Sequence, residues 1–138
     1  MKNKKLIAAI VLGYVLLGLL GYLIHGVLLL PTYRAHDDIW RDEATMMHKR
    51  WVMWVGELIF TVVFAWIYTR NVENKSWAGQ GIRYGILMTL LVVIPSACSQ
   101  YVVYPLPYRL ALVWMAAGGV QLILLGLVVA YFCRKPAG

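Results

Sequence analysis

Apolar positions in this chain form long continuous runs rather than alternating or one-sided stripes. Four runs, 6–30, 51–69, 82–104 and 109–132, are each between 19 and 25 residues long. Crossing a hydrocarbon core takes about 20 helical residues, so each run predicts a transmembrane helix. The breaks between them are short and polar: Pro31 with residues 32–50, "NVENKSWAGQG" at 71–81, and "YPLPY" at 104–108. Connections this short make neighbouring helices antiparallel. The expected fold is an all-α, four-helix membrane bundle of two hairpins, with residues 1–138 as one integral membrane domain.

Within the first connection, Asp37 or Asp38 would cap a short interfacial helix. Trp40, Ala44 and Met47 would form its membrane-facing stripe, and Asp37 and Arg41 would pair on the wet side. "WVMW" at 51–54 reads as an aromatic belt where the second helix enters the membrane. In the third helix, Pro95 frees a carbonyl one turn earlier, next to the hydroxyls of "SACSQ". Small residues gather on the first helix (Gly13, Gly18, Gly21, Gly26) and the fourth ("AAGG" at 116–119, Gly126, Ala130). Small residues let membrane helices approach closely, so these two faces are the expected surfaces for a homo-oligomer or a larger membrane complex.

Composition supports the membrane assignment: 62% of residues are hydrophobic and 14% charged, against about 45–50% and about 25% in soluble domains. The net charge of +7 is grouped at the helix ends. Lys2, Lys4, Lys5, Arg70, Lys75, Arg83, Arg134 and Lys135 fall on one side, and Arg34, Arg41, Lys49, Arg50 and Arg109 on the other, 8 against 5 of the 13 basic residues. By the positive-inside rule both termini are expected in the cytoplasm. The basic excess then faces anionic lipid, so the bilayer is the expected partner and nucleic acid is not. The first run exceeds the h-region of a cleaved signal, and no A-x-A-like site follows it, so an uncleaved anchor helix is expected. Cys98 and Cys133 fall near opposite membrane faces, beyond disulfide reach.

The candidate chemistry is a polar layer inside the bundle. His25 lies six residues before Pro31, and Glu57 six residues after Trp51, which puts both about 9 Å below the outer interface by the helical rise. Ser99, Gln100 and Trp114 reach a similar level, while Gln121 lies deeper. A carboxyl group in hydrocarbon is costly unless paired or neutral, so His25, or Thr61 one turn along, is the expected partner of Glu57. Such a layer serves either as a proton or ligand site or as a packing network.

The outer connection also holds His36, Asp37, Asp38, Met46, Met47 and His48. It mixes hard oxygen with soft thioether ligands and lacks metal-ligand spacing, so no metal, haem or other cofactor is expected. Trp40, Arg41 and Arg109 are its candidates for closing over the layer beneath. No catalytic set stands out. Two readings remain: an accessory or self-associating membrane subunit, and a binder of a lipid, a quinone-like molecule or a proton.

"HGVLLLPTYR", followed by "IWR" and "MM", together with "GQGIRYG" and "YPLPYRLALVW", resembles a group of short bacterial four-helix inner-membrane proteins known as a domain-of-unknown-function family. The matching positions are His25, Gly26, Pro31, Tyr33, Trp40, Arg41, Gly81, Arg83, Tyr84, Gly85, Tyr104 and Pro105. The resemblance covers nearly the whole chain and implies a bacterial inner-membrane location; no catalytic role comes with it.

Overall fold

A computed structural model describes residues 2–134, and all regular structure among them is helical. The elements are α1 (Lys2–Gly21), a π-helical segment (Tyr22–Leu28), α2 (Leu30–Arg34), a 3-10 turn (Asp37–Ile39), α3 (Glu43–Arg70), α4 (Trp77–Met88), a second π-helical segment (Thr89–Val93), α5 (Ile94–Val103) and α6 (Tyr108–Cys133). Four helices are long and apolar enough to cross a membrane: Asn3–Leu28, Glu43–Arg70, Trp77–Val103 and Tyr108–Cys133. Residues 29–42 and 104–107 connect helices at one end of the bundle, the crown. The 71–76 loop, the start of α1 and the end of α6 form the other end, the base. Lys135, counted above among the basic residues, lies outside the described residues.

The second and third spans begin well before their apolar runs, and the first begins a few residues early at Asn3. The second span starts at Glu43 because Asp42 caps it, accepting a hydrogen bond from the Thr45 amide at 2.8 Å. Glu, Ala, Met, Lys and Arg are all good helix formers, so residues 43–50 join the spanning helix. Asp37 and Asp38 cap no interfacial helix; they occupy the 3-10 turn, and Trp40 has extended backbone geometry. Among the described residues no ion pair joins Asp37 to Arg41. The third span starts at Trp77 rather than at 82. Its anchor is Gln80, whose amide accepts from the Glu73 N–H and donates to the carbonyls of Glu73 and Lys75 at 2.8–3.0 Å. One buried side chain thus satisfies the backbone of the turn, as buried polar groups require.

Both interruptions of the long helices are π-helical. Thr89–Val93 precedes Pro95, which lacks the N–H an α-helix would need there. Tyr22–Leu28 closes with the Leu29 amide on the Ile24 carbonyl at 2.8 Å, and Pro31 then sits in the first turn of α2.

The bundle is organised around α6. Its Leu122, Leu125, Val129 and Ala130 form the core with Ala9 and Leu17 of α1 and Phe64, Ala65 and Tyr68 of α3. On its other side α6 meets α4 backbone to backbone. A Cβ on Gly85 would lie 2.5 Å from the Ile123 Cα, and one on Gly81 2.7 Å from the Gly126 carbonyl oxygen. Lipid offers little hydrophobic drive for helices to associate, so this fit supplies the adhesion. Gly118 and Gly119 pack on Val93 and Thr89. The glycines Gly118, Gly119 and Gly126 of α6 are therefore taken up within the chain, while Ala116 is exposed. On α1, Gly13 is likewise occupied, by Leu125 and Thr61, whereas Gly18 and Gly21 face open space.

Candidate functional site

At the crown, side chains from α6 and the first π-helical segment converge on the Tyr33 hydroxyl of α2. Trp114 of α6 donates its indole N–H to it at 2.8 Å, and His25 Nδ1, in the π-helical segment, lies 2.6 Å away. An indole only donates, so the single phenolic proton is free to point at His25. The chain Trp114 N–H to Tyr33 O–H to His25 Nδ1 suits a neutral imidazole protonated on Nε2; a protonated ring would instead donate to Tyr33. The His25 and Tyr33 rings lie nearly parallel, 8° apart in plane, with centroids 6.0 Å apart. Burial pushes the Tyr33 phenol above its ordinary value, against a downward pull from the Trp114 hydrogen bond, so it remains a protonated donor. Trp40 packs edge-on against Tyr33 and tilted against Trp114, and its indole N–H is buried without a partner. Tyr33, Trp40 and Trp114 pack against the buried Ile24, Leu29, Leu106 and Leu110.

The other expected members are elsewhere. Gln100 bonds weakly to Ser96 of its own helix at 3.2 Å, and Ser99 is exposed. Arg109 is exposed and sits over the neighbouring Tyr108 ring, and Arg41 is exposed. His36 bonds to the Thr32 carbonyl at 2.9 Å.

Glu57 and His25 do not form the expected pair. Gly13 packs on Thr61, which fixes the antiparallel register of α1 and α3. From that level Glu57 is four residues toward the crown and His25 twelve, a separation of about 12 Å along the axis. The equal-depth reading took Trp51 as the helix start, and the eight additional helical residues move Glu57 deeper. Thr61 is fully buried and donates to the Glu57 backbone carbonyl at 2.7 Å, not to its carboxyl group. Glu57 itself is half-buried, and its Oε1 is enclosed with no hydrogen-bond partner.

The base holds a feature the sequence reading passed over: a cleft of about 690 Å³ between the lower halves of α3 and α4. Tyr84 lines it midway, donating to the Phe64 carbonyl at 2.8 Å and packing on Phe64 and Tyr68, while Leu87, Met88 and Leu91 continue the wall toward the crown. At its mouth Glu73 pairs with Lys75 at 2.6 Å and Arg83 at 2.5 Å. Those two cations hold the Glu73 carboxyl below the ordinary range. The available signal was the run Arg70, Glu73, Lys75, Gln80, Arg83, which reads as a plain linker until Gln80 is known to be buried. No family model, curated protein or solved structure matches the chain, so geometry alone carries the functional reading.

Proposed function

We propose that this is a small accessory membrane protein that acts by association: a four-pass subunit of a bacterial inner membrane, with base and both termini in the cytoplasm. Its partner is a second copy of the chain, docked along the α3 face that carries Gly56 and Glu57. The observation that supports this is the Glu57 carboxyl group, which lies inside a spanning helix and has an enclosed oxygen that the chain leaves unsatisfied. Ionisable groups at membrane depth are almost always paired; Glu57 is only half-buried, so its carboxyl group can turn from the enclosed position toward a partner helix. Beside it, a Cβ on Gly56 would meet nothing within 4 Å, so a second helix has room to approach closely.

The test is the oligomeric state in liposomes, by subunit counting, for wild type and Glu57→Leu. The proposal expects an oligomer that becomes monomeric in the variant, with no loss of thermal stability in the monomer. A variant that melts earlier yet associates normally would place the Glu57 contact within the chain and end the proposal. Reporter fusions at residue 42 and at the C-terminus test the orientation, expected outside and inside respectively.

A further inference from the structure

The cleft at the base is within the size range of small-molecule sites, which span about 300–1,000 Å³, and its chemistry changes with depth. Arg70, Arg83 and one carboxylate, Glu73, line the mouth, an excess of one positive charge, and Lys75 adds a second cation against Glu73 from outside the lining. Further toward the bundle centre the wall is Ile67, Leu87 and Leu91, and the last two side chains are 55% and 69% exposed. The polar mouth coincides with the end of α3 and the start of α4, the level at which lipid headgroups meet a spanning helix. A cationic mouth above an apolar slot is complementary to an anionic amphiphile lying parallel to the helices.

We propose that the cleft holds one anionic phospholipid from the base-side leaflet, its phosphate between Arg70 and Arg83 and one acyl chain along Ile67, Leu87 and Leu91. Guanidinium groups match phosphate oxygens in a planar fork, and such charge-assisted bonds are the strong ones. Arg70 lines the cleft and rests over the Trp66 ring at 5.0 Å, and among the described residues it makes no ion pair that a phosphate would have to break. Arg83 is shared with Glu73, so the carboxylate competes with the lipid for it. Gln80 holds the 71–76 backbone independently of the Glu73 side chain, and that competition can be removed without unfolding the mouth. The site is independent of the Glu57 face and of any association there.

The experiment is native mass spectrometry of the full chain in detergent, titrated with phosphatidylglycerol, with phosphatidylcholine and inorganic phosphate as parallel arms. One retained phosphatidylglycerol is expected, with phosphatidylcholine lost on activation and millimolar phosphate failing to displace the lipid. Arg70→Ala with Arg83→Ala should weaken retention about tenfold or more, and Glu73→Gln should strengthen it about threefold. Leu87→Trp fills the apolar slot from an exposed position and should abolish retention with both arginines intact. Should the double arginine variant fail to fold, the opposite signs expected for Glu73→Gln and Leu87→Trp carry the test. Equal retention across wild type and these variants, equal retention of phosphatidylcholine, or displacement by inorganic phosphate would each overturn the proposal.

Discussion

His25 and Glu57 both lie within spanning helices, and the fold treats them in opposite ways. Around His25 the chain supplies its own partner: Tyr33 folds back from α2, takes the Trp114 N–H, and presents its hydroxyl to the imidazole. Around Glu57, about 12 Å deeper by the helical rise, the chain supplies a Thr61 hydroxyl to the backbone and nothing to the enclosed carboxyl oxygen. The first region is a clasp that ties the 30–40 segment to α6. The second has a polar demand that the monomer does not meet. Hydrogen bonding thus separates a polar group that the fold satisfies from one whose carboxyl oxygen it leaves open.

That contrast can be broken from several directions. The largest effect should come from the scaffold on which both regions depend. Gly85→Leu drives a side chain into the Ile123 backbone and should cost about 3 kcal/mol, the upper part of the usual overpacking range, read as a lost or strongly lowered melting transition in detergent. At the crown, Tyr33→Phe removes the acceptor of the Trp114 indole and the partner of His25. Leaving such groups unmet costs about 1–3 kcal/mol, so thermal melts should show a clear destabilisation. Trp114→Phe removes a donor and leaves no orphan behind; a smaller loss than for Tyr33→Phe is expected.

Asp42→Ala removes an N-cap and should fray the first turns of α3 in hydrogen exchange. The Thr45 hydrogen bonds hold the Asp42 carboxyl below its ordinary range, so its contribution is fully present above the unfolded value of about 4 and fades as pH falls through the lower folded value. Wild type should therefore lose more stability than Asp42→Ala on acidification below about pH 4. The smallest effect belongs to Arg41→Ala and Arg109→Ala. Both side chains are exposed and neither takes part in the clasp, so each change should stay within about 0.5 kcal/mol. A large loss at either arginine would show that the crown extends further than Tyr33, Trp40 and Trp114.

The architecture was legible because bilayer thickness imposes a single rule: four apolar runs mean four long helices. The boundaries were less so, because hydropathy marks where a helix is greasy and not where it is capped. Asp42 and Gln80 extend the second and third helices into polar sequence, and the first of these shifts is what removed Glu57 from the level of His25. Trp114 was expected at the level of His25 and Trp40 in the connection above it; the structure joins both to Tyr33. Tyr33 was missed as the hub, since a tyrosine after a proline in a polar segment has no periodic signal; only the return of α2 over the π-helical segment brings it to His25. The glycines of α6 were read correctly as a close-packing face, but sequence does not say which helix packs there, and α4 of the same chain fills it. The base cleft depends on how the end of α3 sits against the third span from Gln80 to Leu91, a tertiary feature that leaves no mark on local sequence.

Subunit counting in liposomes, paired with thermal melting of the detergent-solubilised monomer, tests the central claim most directly when applied to Glu57→Leu. Wild type should be oligomeric, and the variant should be monomeric with an unchanged or raised melting temperature, because an unmet polar group has been replaced by an apolar one. An unchanged oligomer together with a lowered melting temperature would contradict it.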